Sequence, residues 1–135
     1  MATTLNKIDG KSKTKYWIID GLDKDFIEYA PMFGEEINKG GLSTSQIRNF
    51  YGEVIKMRAY EWSVKIEQSF ILLKPKLAYA TKRANKQGLN DLKTILDEGI
   101  DAVLEGNIQQ KQTRFENFCN LFEAIIAYHR ANGGK

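Results

Sequence analysis

Residues 107–131 read NIQQKQTRFENFCNLFEAIIAYHRA. Phe115, Phe118, Cys119, Phe122, Ile125, Ile126 and His129 fall at i, i+3, i+4, i+7, i+10, i+11 and i+14. An α-helix turns once every 3.6 residues, so these side chains share one continuous face. The stretch predicts a long amphipathic helix with its apolar stripe turned to a core. Asn132-Gly133-Gly134 then supplies a C-cap and a stop.

Working back from it, Gly106-Asn107 ends one helix and caps the next. The preceding helix is expected over about Asn90 to Leu104, with Leu92, Ile95, Leu96, Ile100 and Val103 to bury, and Gly88 as the separator before it. Another is expected from Leu72 to Asn85, packing through Leu73, Leu77, Tyr79 and Ala80, with Pro75 in its first turn, where proline fits a helix best. Ser43-Thr44-Ser45-Gln46 reads as a capping box, in which the Ser and Gln side chains each satisfy the other's backbone N–H. The helix it opens is expected to run to about Phe70. Gly52 inside that helix costs about 1 kcal/mol relative to Ala and marks either tight helix packing or the close approach of another backbone or a phosphate. A first helix is expected over about Leu22 to Asn38, kinked or restarted at Pro31 and ended by Gly40-Gly41. Residues 1–15 read as a flexible tail, and Tyr16 to Ile19 as a short apolar anchor, with a strand possible there but no partner strand elsewhere. The expectation is an all-α, single-domain bundle of about five helices over 22–135, preceded by a flexible or loosely docked N-terminal segment over 1–21.

Composition narrows the function. The chain has 135 residues, one domain's length, and is long enough to bury a core. No stretch approaches the roughly 20 apolar residues of a membrane span, so no membrane partner is expected. The polar opening, Met1 to Asp9, lacks the apolar centre of a secretory signal, which predicts a cytoplasmic protein. One Cys excludes an internal disulfide, and one His excludes the multi-histidine metal sites of many hydrolases. Cys119 and His129 both lie on the apolar face of the last helix, so core packing is the expectation for both. Asp91, Asp97, Glu98, Asp101 and Glu105 crowd one helix, and a Mg²⁺ site there is conceivable. No Asp-x-Asp loop, Gly-rich phosphate loop or nucleophile motif accompanies them, so a solvated or docking face is the better reading. The chain is therefore expected to be no enzyme, with no cofactor and no metal.

Charge is distributed unevenly. Residues 1–41 carry a net −1, residues 42–86 a net +6 and residues 87–135 a net −2. A basic middle third points toward a polyanion. Its members include Arg48, Lys56, Arg58, Lys65, Lys74, Lys76, Lys82, Arg83 and Lys86, with Tyr79 one helical turn before Lys82 and Arg83. Lysine and arginine neutralise phosphates, and a tyrosine beside them can stack on a base. The same charges would also serve a solubilising surface, or a small helical module that binds acidic proteins or DNA and has no RNA role.

Three blocks, Leu42 to Tyr51 (LSTSQIRNFY), Leu72 to Arg83 (LLKPKLAYATKR) and Phe122 to His129 with Gly133-Gly134, together resemble the small subunit of type III-A CRISPR–Cas effector (Csm) complexes. The resemblance implies a non-catalytic subunit of a defence complex, repeated along a guide RNA–target RNA duplex. Its implied partners are guide RNA and target RNA, other copies of itself, and the backbone and large subunits of the complex. It also implies that basic residues meet RNA backbone. The matching positions are Arg48, Lys76, Tyr79, Lys82 and Arg83; the charge pattern adds Lys56 and Arg58.

Overall fold

The computed structural model describes residues 8–134. Seven helical segments follow one another among them: α1 Gly10–Asp20, α2 Lys24–Lys39, α3 Thr44–Arg58, α4 Val64–Ile71, α5 Leu73–Ala84, α6 Gln87–Leu104 and α7 Ile108–Ala131. No strand occurs among the described residues, and the fold is all-α. Only Leu72 separates α4 from α5.

The last helix is the spine of the core, as its sequence demands. Phe115, Phe118, Cys119, Phe122, Ile125 and His129 are all buried. Phe70 of α4 meets Phe115 at 5.3 Å and Phe118 at 5.1 Å, both nearly edge to face, which suits the quadrupoles of aromatic rings. The helices α1, α2, α3 and α6 all pack on α7, and α2 packs on it most extensively. The approach of α2 to α7 is tight at Gly34, where a Cβ would lie 2.7 Å from the Tyr128 carbonyl carbon and 2.8 Å from the His129 nitrogen.

The N-terminal segment departs from expectation. Residues 1–7, part of the expected flexible tail, lie outside the described residues, but 10–20 form a helix packed on α6 and α7. Trp17 and Ile18, read as part of a short apolar anchor with a strand possible, are helical and fully buried. Trp17 Nε1 donates to Asp23 Oδ1 at 2.8 Å, and Asn117 of α7 donates to the Ile18 carbonyl at 2.9 Å. Burying an indole removes a large apolar area from water, and its N–H keeps a partner, so the segment docks firmly. Asp9 caps the helix by accepting from the Ser12 N–H.

Three other boundaries move. The expected long helix from Ser43 stops at Arg58, and Ser63 starts α4 by accepting from the Ile66 N–H at 3.2 Å. The break turns Trp62 against Phe70 and Phe115, and the Trp62 N–H donates to Gln112 of α7 at 2.6 Å. Pro31 does not restart α2, which runs through it. Gly88 is no separator but sits in the first turn of α6, where its N–H donates to the Gly40 carbonyl at 3.0 Å.

The start of α3 is fixed from three sides. Gly41 takes φ +89°, the Gly41 N–H donates to the Asn38 carbonyl and the Leu42 N–H to the Ile37 carbonyl, so α2 ends in a Schellman turn. His129 Nε2 lies 2.6 Å from the Leu42 carbonyl, which accepts only if that nitrogen carries the proton. The Ser43–Gln46 capping box then opens α3 with both of its bonds formed, at 3.2 and 3.0 Å. Asn107 and Gln110 make the same box at the start of α7.

Candidate nucleic-acid interface

The core side of α3 is set by Ile47, Val54 and Met57, all buried. At about 100° per residue, its opposite side carries Arg48, Asn49, Gly52 and Lys56. Arg48, Asn49 and Lys56 are exposed. Helix α5 buries Leu73, Leu77 and Thr81, which turns Tyr79, Lys82 and Arg83 outward. Tyr79 is 67% exposed rather than packed.

Between the two helices runs an open groove of about 430 Å³, lined by Gln46, Asn49 and Phe50 of α3, Tyr79 and Arg83 of α5, and Leu89 of α6. Sequence reasoning missed Gln46 and Asn49 here. The signal was present, since they are three apart on one side of α3, but the capping motif claimed Gln46. Its side-chain oxygen serves Ser43, which leaves the amide N–H groups for the groove.

The seven expected binding residues separate into two groups. Arg48, Lys56, Lys82 and Arg83 are exposed and make no ion pair among the described residues, and Tyr79 stands beside the last two. Lys76 Nζ lies 3.9 Å from Glu53 of α3, a long pair across two half-exposed helices that solvent screens strongly. Arg58 turns toward α7, with Nη2 donating to Asn120 at 3.3 Å and Nη1 at 3.8 Å from Glu123. It does not join the α3–α5 groove. Lys74, another member of the basic set, is held by Asp101 of α6 at 2.6 Å, and that bond keeps its ammonium protonated above the ordinary lysine range.

The acidic helix is α6. Asp101 holds Lys74, and Asp97 accepts from Lys93 at 2.7 Å. Among the described residues no three His, Cys, Asp or Glu side chains come together as metal ligands would. Burial pushes the Cys119 thiol up to about 12, so it is neutral at physiological pH. His129 is buried and structural, bridging α7 to the turn before α3. No helix among the described residues is long and apolar enough to cross a membrane.

Fold and surface together define a helical bundle whose α3–α5 face carries exposed cations, Arg48, Lys56, Lys82 and Arg83, with no carboxylate partner among the described residues. The family model described as Csm2 Type III-A matches residues 22–135, and the chain belongs to that family, the small subunit of type III-A CRISPR–Cas complexes. The match takes in α2 to α7 and leaves α1 outside it. Nothing matches among the curated proteins or the solved structures.

Proposed function

We propose that this chain is a non-catalytic RNA-binding subunit, repeated along a guide RNA–target RNA duplex in the cytoplasm. In that complex it touches neighbouring copies of itself and the backbone and large subunits. The face formed by α3 and α5 meets the sugar–phosphate backbone. The single observation that carries the reading is the grouping of Arg48, Lys56, Lys82 and Arg83, exposed and without a carboxylate partner among the described residues, on the neighbouring helices α3 and α5. Phosphate contacts of this kind position a protein on nucleic acid without reading sequence. Specificity is then left to guide–target pairing, as in other RNA-guided systems. One subunit binds weakly, and repetition raises the effective concentration. Lys76 and Arg58 contribute less, because each already has an acidic neighbour.

A salt titration tests this. Every phosphate that a variant no longer neutralises reduces the log–log salt slope by about 0.7–0.9, the lower figure for single strands. The combined Arg48→Ala, Lys82→Ala, Arg83→Ala variant is expected to bind unrelated RNA duplexes more weakly and with a slope flatter by about 2–3, at unchanged helicity. Arg58→Ala is expected to change the slope by much less. Wild-type affinity in the triple variant would overturn the proposal, and so would its unfolding, since these side chains would then be structural.

A further inference from the structure

Gly52 lies in the middle of α3, yet a Cβ built on it meets nothing within 4 Å. This sets it apart from Gly34, Gly88 and Gly99, where a Cβ would run into the Tyr128 backbone, the Ile37 carbonyl and the Phe118 ring. The tight-packing explanation of Gly52 therefore fails. Nothing in the fold requires a glycine there, and the helix is weakened by having one. Arg48 stands one turn before Gly52 and Lys56 one turn after, both exposed and without an ion pair among the described residues. A rise of about 1.5 Å per residue places them about 6 Å to either side along the axis.

We propose that Gly52 is a contact point for RNA: a notch in the outer face of α3 where the sugar–phosphate backbone seats against the helix main chain between Arg48 and Lys56. This rests on the RNA-binding reading above and makes it more specific. Without a Cβ, a phosphate or ribose can approach the helix backbone closely enough for both flanking cations to reach adjacent phosphates. A side chain at 52 would hold the polyanion away from both at once. The requirement is steric and independent of base identity, as expected of a surface that follows a backbone. Glu53, the carboxylate next to Gly52, lies on the α5 side of the helix, 3.9 Å from Lys76.

The test uses the full chain with Gly52→Ala and Gly52→Leu, read by thermal melting and by affinity for a labelled RNA duplex of arbitrary sequence. Both variants are expected to melt higher, by about 3–5 °C for a domain of this size. RNA affinity is expected to fall about threefold for alanine and at least tenfold for leucine. Opposite signs in the two readouts are the signature. Wild-type RNA affinity in both variants would overturn the notch, and so would a lowered melting temperature, which would mean that the fold itself needs the glycine. The Arg48, Lys82, Arg83 triple variant on the same duplex separates the two proposals. If it loses affinity while the Gly52 variants do not, the notch falls and the basic face stands. If none loses affinity, both fall.

Discussion

Gly34 and Gly52 each sit inside a long helix, at the same cost in helix propensity, for opposite reasons. At Gly34 the backbone of α7 occupies the space a side chain would need; at Gly52 that space is open. The inner glycine lets two helices approach, and it helps bring α7 to the turn that begins α3. The outer one lies between two unpaired cations on the face that α3 presents. A residue poor in helix propensity is informative only once its surroundings are known. Inside, packing accounts for it; outside, it points to something beyond the chain. The same division holds for charge, since Lys74, Lys93 and Lys111 answer carboxylates of the fold while Arg48 and Arg83 answer none among the described residues.

The inner side is where substitutions should cost most. His129 is buried, bonds the Leu42 carbonyl and lies against Gly34 through its backbone. His129→Ala removes a buried ring and leaves that carbonyl unpaired, for a loss of about 3 kcal/mol. Urea unfolding checks it, and a change under about 1 kcal/mol would show that the bond does not hold the turn. Gly34→Ala comes next. Overpacking against main chain costs up to about 3 kcal/mol, and the gain in helix propensity returns about 1, so a net loss of about 2 kcal/mol is expected. Melting then falls by about 6–10 °C, opposite in sign to Gly52→Ala. Equal signs for the two glycines would break the comparison.

Much of this was legible in the chain, and what was not has physical causes. The face of α7 and the capping boxes at Ser43 and Asn107 are local patterns, complete within a few residues, and the fold keeps them. Helix α1 was hidden because its buried positions are Gly10, Thr14, Trp17 and Ile18, only two of them strongly apolar. Thr14 becomes buriable by donating its hydroxyl to the Gly10 carbonyl at 2.6 Å, a bond that exists only once the helix has formed. The stop at Arg58 has no Gly or Pro to announce it, and depends on Trp62 finding Gln112, 50 residues away in sequence. The basic surface was legible as a composition, but not its division. Arg58 looks like Arg48 in sequence, and only the fold brings Asn120 and Glu123 to it.

The smallest expected effect tests whether the outer face acts as a surface at all. Ser43 closes the capping box at the start of α3 but is itself only half-exposed and uncharged. Ser43→Ala removes the acceptor for the Gln46 N–H, at a cost of about 1 kcal/mol, while the Ser43 backbone N–H can still donate to the Gln46 side chain. The first turn of α3 should fray slightly, and the melting temperature should fall by about 3–5 °C. Arg48 lies a full turn further in and keeps its helical position, so the salt slope of RNA binding should not change. Arg48→Ala should do the reverse, leaving melting nearly unchanged and reducing the slope by about 0.7–0.9. If Ser43→Ala flattens the slope as much as Arg48→Ala does, the binding face depends on the order of the first turn, and the fixed outer surface assigned to α3 is wrong. If the two variants separate cleanly, stability and RNA binding belong to opposite sides of one helix.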